Sequence, residues 1–345
     1  MSYRFGALLV VCVGMVAVIS GCGKQAGMSG GQVDSDGQLV VLNTFIAGGE
    51  GGWDDLTVDA RARRVYVSRA TRVMVLDADK GTVVGEIADT PGVHGIAVVD
   101  DRNLGFTSNG RENMVSVFDL KTLKTLQKIK TGQKPDAILY DPFSKRVYVF
   151  NGGSGDATII DPAALDKPPV TLAIGGKLEF GASDGAGHVY VNIEDKGEVV
   201  VIDAKAQKIT ARWPVAPGTE PSGLAIDRAH RRLFVGCANQ KMIILDADKG
   251  ARLGDPPVGS GVDGAAYDGH LKIAVCPNGK DGTLSVIREE PAGKFVVVQT
   301  VTTAQGARTV REDVKTHRFF LPCRVPATDG SGKPQFALLV VGEKE

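Results

Sequence analysis

A unit of about 42 residues recurs along this chain, and no other property limits its fold as tightly. The unit is a turn aspartate, a few polar residues and an apolar strand. It stands as Asp59 before Arg64-Val65-Tyr66-Val67 and as Asp141 before Arg146-Val147-Tyr148-Val149. It returns as Asp184 before His188-Val189-Tyr190-Val191 and as Asp227 before Arg232-Leu233-Phe234-Val235. Weaker copies begin at Asp101, Asp268 and Asp313. A further strand follows each and closes on Asp77, Asp119, Asp161, Asp203 or Asp246, with Arg288 in the sixth place. An apolar segment before each turn aspartate and another after the second polar turn bring the set to four strands. These strands alternate, favour β-branched and aromatic residues, and are bounded by Gly, Asp, Asn and Pro.

Four short strands per period predict an all-β chain, a β-propeller of four-stranded antiparallel blades. Seven turn aspartates predict seven blades, and residues 38–345 leave no room for an eighth. The two ends fit a closed ring. Leu39 to Ile46 reads as the outer strand of a blade with nothing before it, and Phe336 to Val341 as a third strand with nothing after it. The N-terminal strand is therefore expected to complete the last blade, which removes an exposed sheet edge.

The Arg-Val-Tyr-Val strand followed by Val73-Met74-Val75-Leu76-Asp77 resembles the YVTN-repeat, YncE-like propellers. The resemblance covers residues 38–345. It implies a seven-bladed ring similar to that of the quinoprotein amine dehydrogenase heavy chain, and a role as a secreted or surface binding protein. WD40 propellers are the rival pattern, but their Gly-His and Trp-Asp pairs are missing. Trp53-Asp54, the one Trp-Asp in the chain, precedes a first strand.

The first residues read as an address. Arg4 is followed by an uncharged apolar run, Ala7 to Ile19, too short for a spanning helix of ~20 residues. It ends in Ile19-Ser20-Gly21-Cys22, which resembles the bacterial lipobox. The resemblance implies a signal peptide over residues 1–21, lipidation of Cys22, and a membrane-anchored protein of the cell envelope. Residues 22–37, rich in Gly, Ser and Gln, read as a flexible tether. The 40 basic and 40 acidic residues balance, which with the extracytoplasmic address argues against a nucleic-acid partner. The five cysteines form no Cys-x-x-Cys, so zinc-ribbon and thioredoxin-like chemistry are not supported. Cys237, Cys276 and Cys323 end strands of successive blades and read as small buried thiols.

In a propeller, the loops leading into the innermost strands and those joining strands two and three open on one face. Aligning the repeats places on that face His94, Asp136, Glu179, Glu220, Asp263 and Arg308 from the lead-in loops, beside Trp53-Asp54-Asp55. The other loops add Asn109, Arg111, Asn151, Asn192, Asn239 and Asn278. The amides also fit ordinary turn chemistry. His188, His230, His270 and His317 fall on the opposite face and read as solvated turn residues. Pro322 to Gln335 reads as a long loop of the last blade, a lid or partner contact.

These residues point first to a non-catalytic module, expected to be monomeric, that binds a small molecule, glycan or protein at the channel mouth. No nucleophile–base pair is evident and no cofactor is expected. The alternative is a metal-dependent hydrolase resembling the sugar lactonases, with Asp136, Glu179 and Asp263 around Ca²⁺ or another divalent ion. Glu50-Gly51-Gly52 resembles the early Glu-Gly-Pro of those enzymes but lacks the proline. An ion-pair network with Arg308 and Arg111 would balance the same carboxylates.

Overall fold

The computed structural model describes residues 37–327, 330 and 332–344. The signal peptide, Cys22 and the tether up to residue 36 lie outside the described residues. No described helix is long and apolar enough to cross a membrane.

Among the described residues, seven sheets of four antiparallel strands are formed. In blade 1 the strands are β2 (Leu56–Asp59), β3 (Arg64–Arg69), β4 (Arg72–Asp77) and β5 (Val83–Ile87). Blades 2 to 6 follow in the same inside-to-outside order and begin at β6 (Val93–Val99), β10 (Pro135–Asp141), β14 (Leu178–Ser183), β18 (Pro221–Asp227) and β22 (Ala266–Asp268). Blade 7 takes β26 (Arg311–Asp313), β27 (Arg318–Val325) and β28 (Gln335–Glu343) from the C-terminus and its outer strand, β1 (Leu39–Ile46), from the other end of the chain. The closure runs from Leu39 opposite Glu343 to Ile46 opposite Ala337. Gln299 of blade 6 secures it, accepting from Leu39 N at 3.0 Å and donating to Leu39 O at 2.6 Å.

Each blade is too thin to bury its own faces, so the core is divided among the seams. One apolar cluster fills each seam between neighbours, and the cluster of Phe320, Phe336 and Leu338 with Leu56, Val67 and Leu76 joins blade 7 to blade 1. The recurrent Tyr also ties blades together: Tyr148 OH donates to Ala204 O at 3.1 Å and Tyr190 OH to Ala247 O at 2.8 Å. That polar tip explains Tyr where packing alone would accept Phe.

Both aspartate series cap turns. Asp227 Oδ1 accepts from Ala229 N and His230 N, and Asp246 Oδ1 from Asp248 N and Lys249 N. Where Arg288 replaces the aspartate, the strand runs on to Glu290 before turning. Two expectations need correction. In blade 2 the turn is a 3₁₀ segment, Asp100–Arg102, with Asn103 left-handed, and not an Asp101 cap. The loop of blade 7 is shorter than 322–335, because Pro322 to Val325 belong to β27 and Gln335 opens β28. Residues 328, 329 and 331 of that loop lie outside the described residues. Cys237, Cys276 and Cys323 are free and buried.

Candidate functional site at the channel mouth

The innermost strands start with a common irregularity. In β6, β10, β14 and β18 the pairing to the next strand shifts, between Val93 and Ile96, Pro135 and Ile138, Leu178 and Gly181, and Pro221 and Leu224. A bulge frees the residues between from the ladder and re-aims their side chains. The freed residues begin with His94, Asp136, Glu179 and Ser222. Blades 6 and 7 place Asp263 and Arg308 just before their shorter inner strands, and blade 1 places Asp54 and Asp55 before β2.

Hydroxyls from neighbouring strands hold these segments. Ser108 Oγ receives Gly95 N at 2.9 Å and donates to Asp136 O of the next blade. Ser68 Oγ accepts from Asp54 N at 3.1 Å, and Thr309 Oγ1 donates to Asp54 O at 2.6 Å. Gly110 leaves room for the imidazole: a Cβ there would lie 3.0 Å from the His94 ring.

The side chains meet around a cavity of about 170 Å³ lined by Asp54, Asp55, His94, Asp136, Glu179, Phe180 and Asp263. His94 Nδ1 lies 2.5 Å from Asp54 Oδ2 and 3.4 Å from Asp136 Oδ1. Arg308 spans the other side, with Nη2 2.9 Å from Asp54 Oδ1 and Nε 2.7 Å from Asp263 Oδ2. Arg311 holds Asp55 at 2.7 Å and lies over the Phe180 ring. Lys177 pairs with Glu179 at 3.0 Å and with Glu194.

Counting charges decides what this cavity wants. Six carboxylates (Asp54, Asp55, Asp136, Glu179, Glu194, Asp263) face four cationic groups (His94, Lys177, Arg308, Arg311) among the described residues. The titration behaviour follows. Burial pushes Asp136 up to about 6, against the pull of His94. Burial and then the charge of Asp136 push Glu179 up to about 8. Burial raises Asp55 to about 6, and it raises Asp263 as well. Burial would also raise Asp54, but the hydrogen bond and charge of His94, with Arg308 behind them, hold it below the usual range. The hydrogen bond to Asp54 lifts His94 to about 9, so the ring is an imidazolium at neutral pH.

Of the twelve ligand-binding candidates read from the sequence, five gather here: His94, Asp136, Glu179, Asp263 and Arg308. The amides do not. Asn109, Asn151 and Asn278 are buried and lock their own hairpins, donating to the hydroxyls of Ser116, Thr158 and Ser285 at 2.8, 2.9 and 2.9 Å. Asn192 donates to the carbonyls of Ser222 and Gly223 in the next blade. Asn239 braces the loop leading into β18, accepting from Thr219 N and donating to Pro217 O. Arg111 and Glu220 are exposed outside the cavity lining. The ion-pair partners are Arg308 and Arg311, not Arg111. Asp54 and Asp55 were placed on this face by the repeat alignment without being singled out as ligands, and Arg311 was not found. A larger recess of about 330 Å³ lies at the rim between blades 5 and 6, but its Arg232–Glu289 pair is already balanced.

Three groups set Asp54, His94 and Asp136 within 4.8 Å of one another, close enough to hold a metal ion. The proposed set of Asp136, Glu179 and Asp263 does not gather in this way, because Arg308 occupies Asp263 and Lys177 occupies Glu179.

No family model and no curated protein matches the sequence. In structure the chain is similar to the RRP9 WD40 repeats, with a TM-score of 0.71 at 8% identity over 89% of this chain and 98% of that one. It is similar to U3-55K, with a TM-score of 0.70 at 8% identity, over 89% of this chain and 98% of that one. It is also similar to the β-propeller domain of Cps50 (Swd1) from Myceliophteria thermophila, with 0.69 at 10% identity, over 89% of this chain and all (100%) of that one. At these identities the likeness is one of fold: the chain is a seven-bladed β-propeller.

Proposed function

We propose that this propeller is a lipid-anchored binding module of the bacterial cell envelope, of the YVTN-repeat type, whose channel mouth receives a cationic side chain from a protein partner. The observation that carries the reading is the shortfall of two positive charges around the mouth. A lysine or arginine tip would replace the proton that Glu179 retains at neutral pH and would draw the raised Asp136 carboxyl back down. A cavity of about 170 Å³ admits such a tip. Phe180 adds an apolar wall for the methylene stem. The WD40 domains that share the fold make a protein partner a reasonable expectation. The test is co-purification from detergent-solubilised envelopes, comparing the wild-type chain with Asp136→Asn/Glu179→Gln. The reading expects a partner retained by the wild type and lost by the variant. Equal recovery by both would overturn it.

The metal-dependent hydrolase is kept as the second reading because Asp54, His94 and Asp136 stand within reach of one ion. It requires the imidazolium to give up its proton and its carboxylate partners. Titration with Ca²⁺ or Zn²⁺ must then raise the melting temperature in a His94-dependent way.

A further inference from the structure

Two seams of the lower face share an arginine–aspartate pairing that a third seam makes with a histidine. The residue four after the turn aspartate is left-handed (φ 55°) in five blades and is Arg63, Lys145, Arg231, Lys272 or His317. From this position Arg63 reaches back to buried Asp313 of blade 7 at 2.6 Å, and Arg231 to buried Asp184 of blade 4 at 2.8 Å. At these two seams a permanent cation thus neutralises a buried carboxylate. Between blades 6 and 7 the same contact is made by His317 Nδ1, 3.0 Å from Oδ2 of the fully buried Asp268.

A second position changes with it. The residue just before the turn aspartate is Val58 beside Arg63 and Ile226 beside Arg231, but Glu312 beside His317. An apolar residue and a guanidinium have been exchanged for a carboxylate and an imidazole at the same seam. Asp268 Oδ1 is fixed by the N–H groups of His270 and Leu271, each at 2.8 Å, so its second oxygen is aimed at the group opposite. His270 stacks on His317 with ring centroids 4.3 Å apart. His270 is an exposed turn residue, as its sequence suggests, while His317 is half-buried against Asp268.

The geometry points to a divalent transition-metal site formed by Asp268, Glu312 and His317. Their ligand atoms lie within 4.8 Å of one another. The 3.0 Å separation of His317 Nδ1 and Asp268 Oδ2 is near the ~3.3 Å edge expected between two ligands at ~2.0 Å from tetrahedral zinc. A neutral imidazole with two carboxylates suits zinc and its neighbours better than Ca²⁺, which prefers oxygen alone. An arginine could take no part, since it offers no lone pair. Glu312 also lines the wide lower end of the channel, about 720 Å³, which gives an ion a route from solvent.

The probes are Zn²⁺, with Co²⁺ as a visible reporter, titrated into the full-length chain. Calorimetry and thermal melts follow the wild type, Glu312→Val/His317→Arg, Glu312→Gln and His94→Gln. The double variant copies the seam between blades 7 and 1, so it should fold and melt normally without metal. The proposal expects Zn²⁺ to raise the wild-type melting temperature and Co²⁺ to develop d–d bands. The affinity behind both effects should fall about a hundredfold in the double variant and in Glu312→Gln, and persist in His94→Gln. No response in the wild type, an undiminished response in both seam variants, or a response lost only in His94→Gln would overturn it. If the double variant fails to fold, Glu312→Gln alone decides.

Discussion

His94 of blade 2 and Asp54 of blade 1 are joined across their seam by a 2.5 Å contact between Nδ1 and Oδ2. The same imidazolium lies 3.4 Å from Asp136 of blade 3, so one side chain links three blades at the mouth. Replacing it with a neutral residue leaves two acids facing each other without their shared cation. His94→Gln should therefore lower stability by about 1 kcal/mol in urea denaturation, at the modest end because the ring is more than one-third exposed. It should also raise the Asp136 carboxyl further. Unchanged stability together with an unchanged Asp136 titration would refute this role.

Glu179 gives the mouth a pH dependence of defined sign. Its carboxyl titrates near about 8 when folded, against an ordinary 4.5. Between these values the folded chain binds more protons than the unfolded chain, so stability falls as pH rises through that window. Asp136 acts with the same sign between 3.8 and about 6. The His94 stabilisation is complete below 6.5 and lost as pH passes about 9. Glu179→Gln should flatten the decline between pH 4.5 and about 8, and should be the more stable protein at the alkaline end by about 2 kcal/mol. Parallel melting curves for the two proteins across that range would contradict the assignment.

Arg69, at the end of β3, is fully buried and makes no ion pair among the described residues. Its guanidinium donates to the carbonyls of Gly48, Gly49, Glu50, Gly51 and Gly52 and lies over the Phe336 ring at 3.8 Å from its centroid. The Glu50-Gly51-Gly52 segment that resembles a lactonase motif therefore wraps an arginine and fastens the closing strand to blade 1. Arg69→Met should cost about 3 kcal/mol, and Arg69→Lys should not restore it, because an ammonium cannot reach five carbonyls in a fork. Guanidinium chloride unfolding checks both, and a loss below ~1 kcal/mol in either would be a failure.

Ring closure rests on β1. Deleting residues 39–46 strips the outer strand from β28 and removes Leu39 from the core between blades 6 and 7. The expected product is self-associating or lacks a single cooperative melt, because β28 becomes an open edge. Light scattering and calorimetry report this. A monomer with a wild-type melt would contradict it.

The ring was legible in the sequence because its devices are local. Asp227 and Asp246 cap turns whose residues sit a few places away, so spacing alone reveals them. The end strands showed the closure because each lacked a neighbour in the chain. The mouth was half legible. Its rung of His94, Asp136 and Glu179 could be found by aligning repeats, but the bulges that aim these residues inwards leave no composition signal. The amides were misplaced because an Asn at a turn looks the same whether it faces a ligand or a hydroxyl seven residues on. That spacing, Asn109 to Ser116 and Asn151 to Thr158, is the clue that separates the two. Arg69 was hidden because its partners are backbone carbonyls, which every sequence supplies.

The central claim is that the channel mouth lacks two positive charges and that the carboxyls of Asp136 and Glu179 are raised in consequence. Carbon-13 NMR of the side-chain carboxyls tests it directly, with Asp136→Asn and Glu179→Gln to assign the signals. The account predicts midpoints of about 6 for Asp136 and about 8 for Glu179. Midpoints for both at their ordinary values of 3.8 and 4.5 would contradict it.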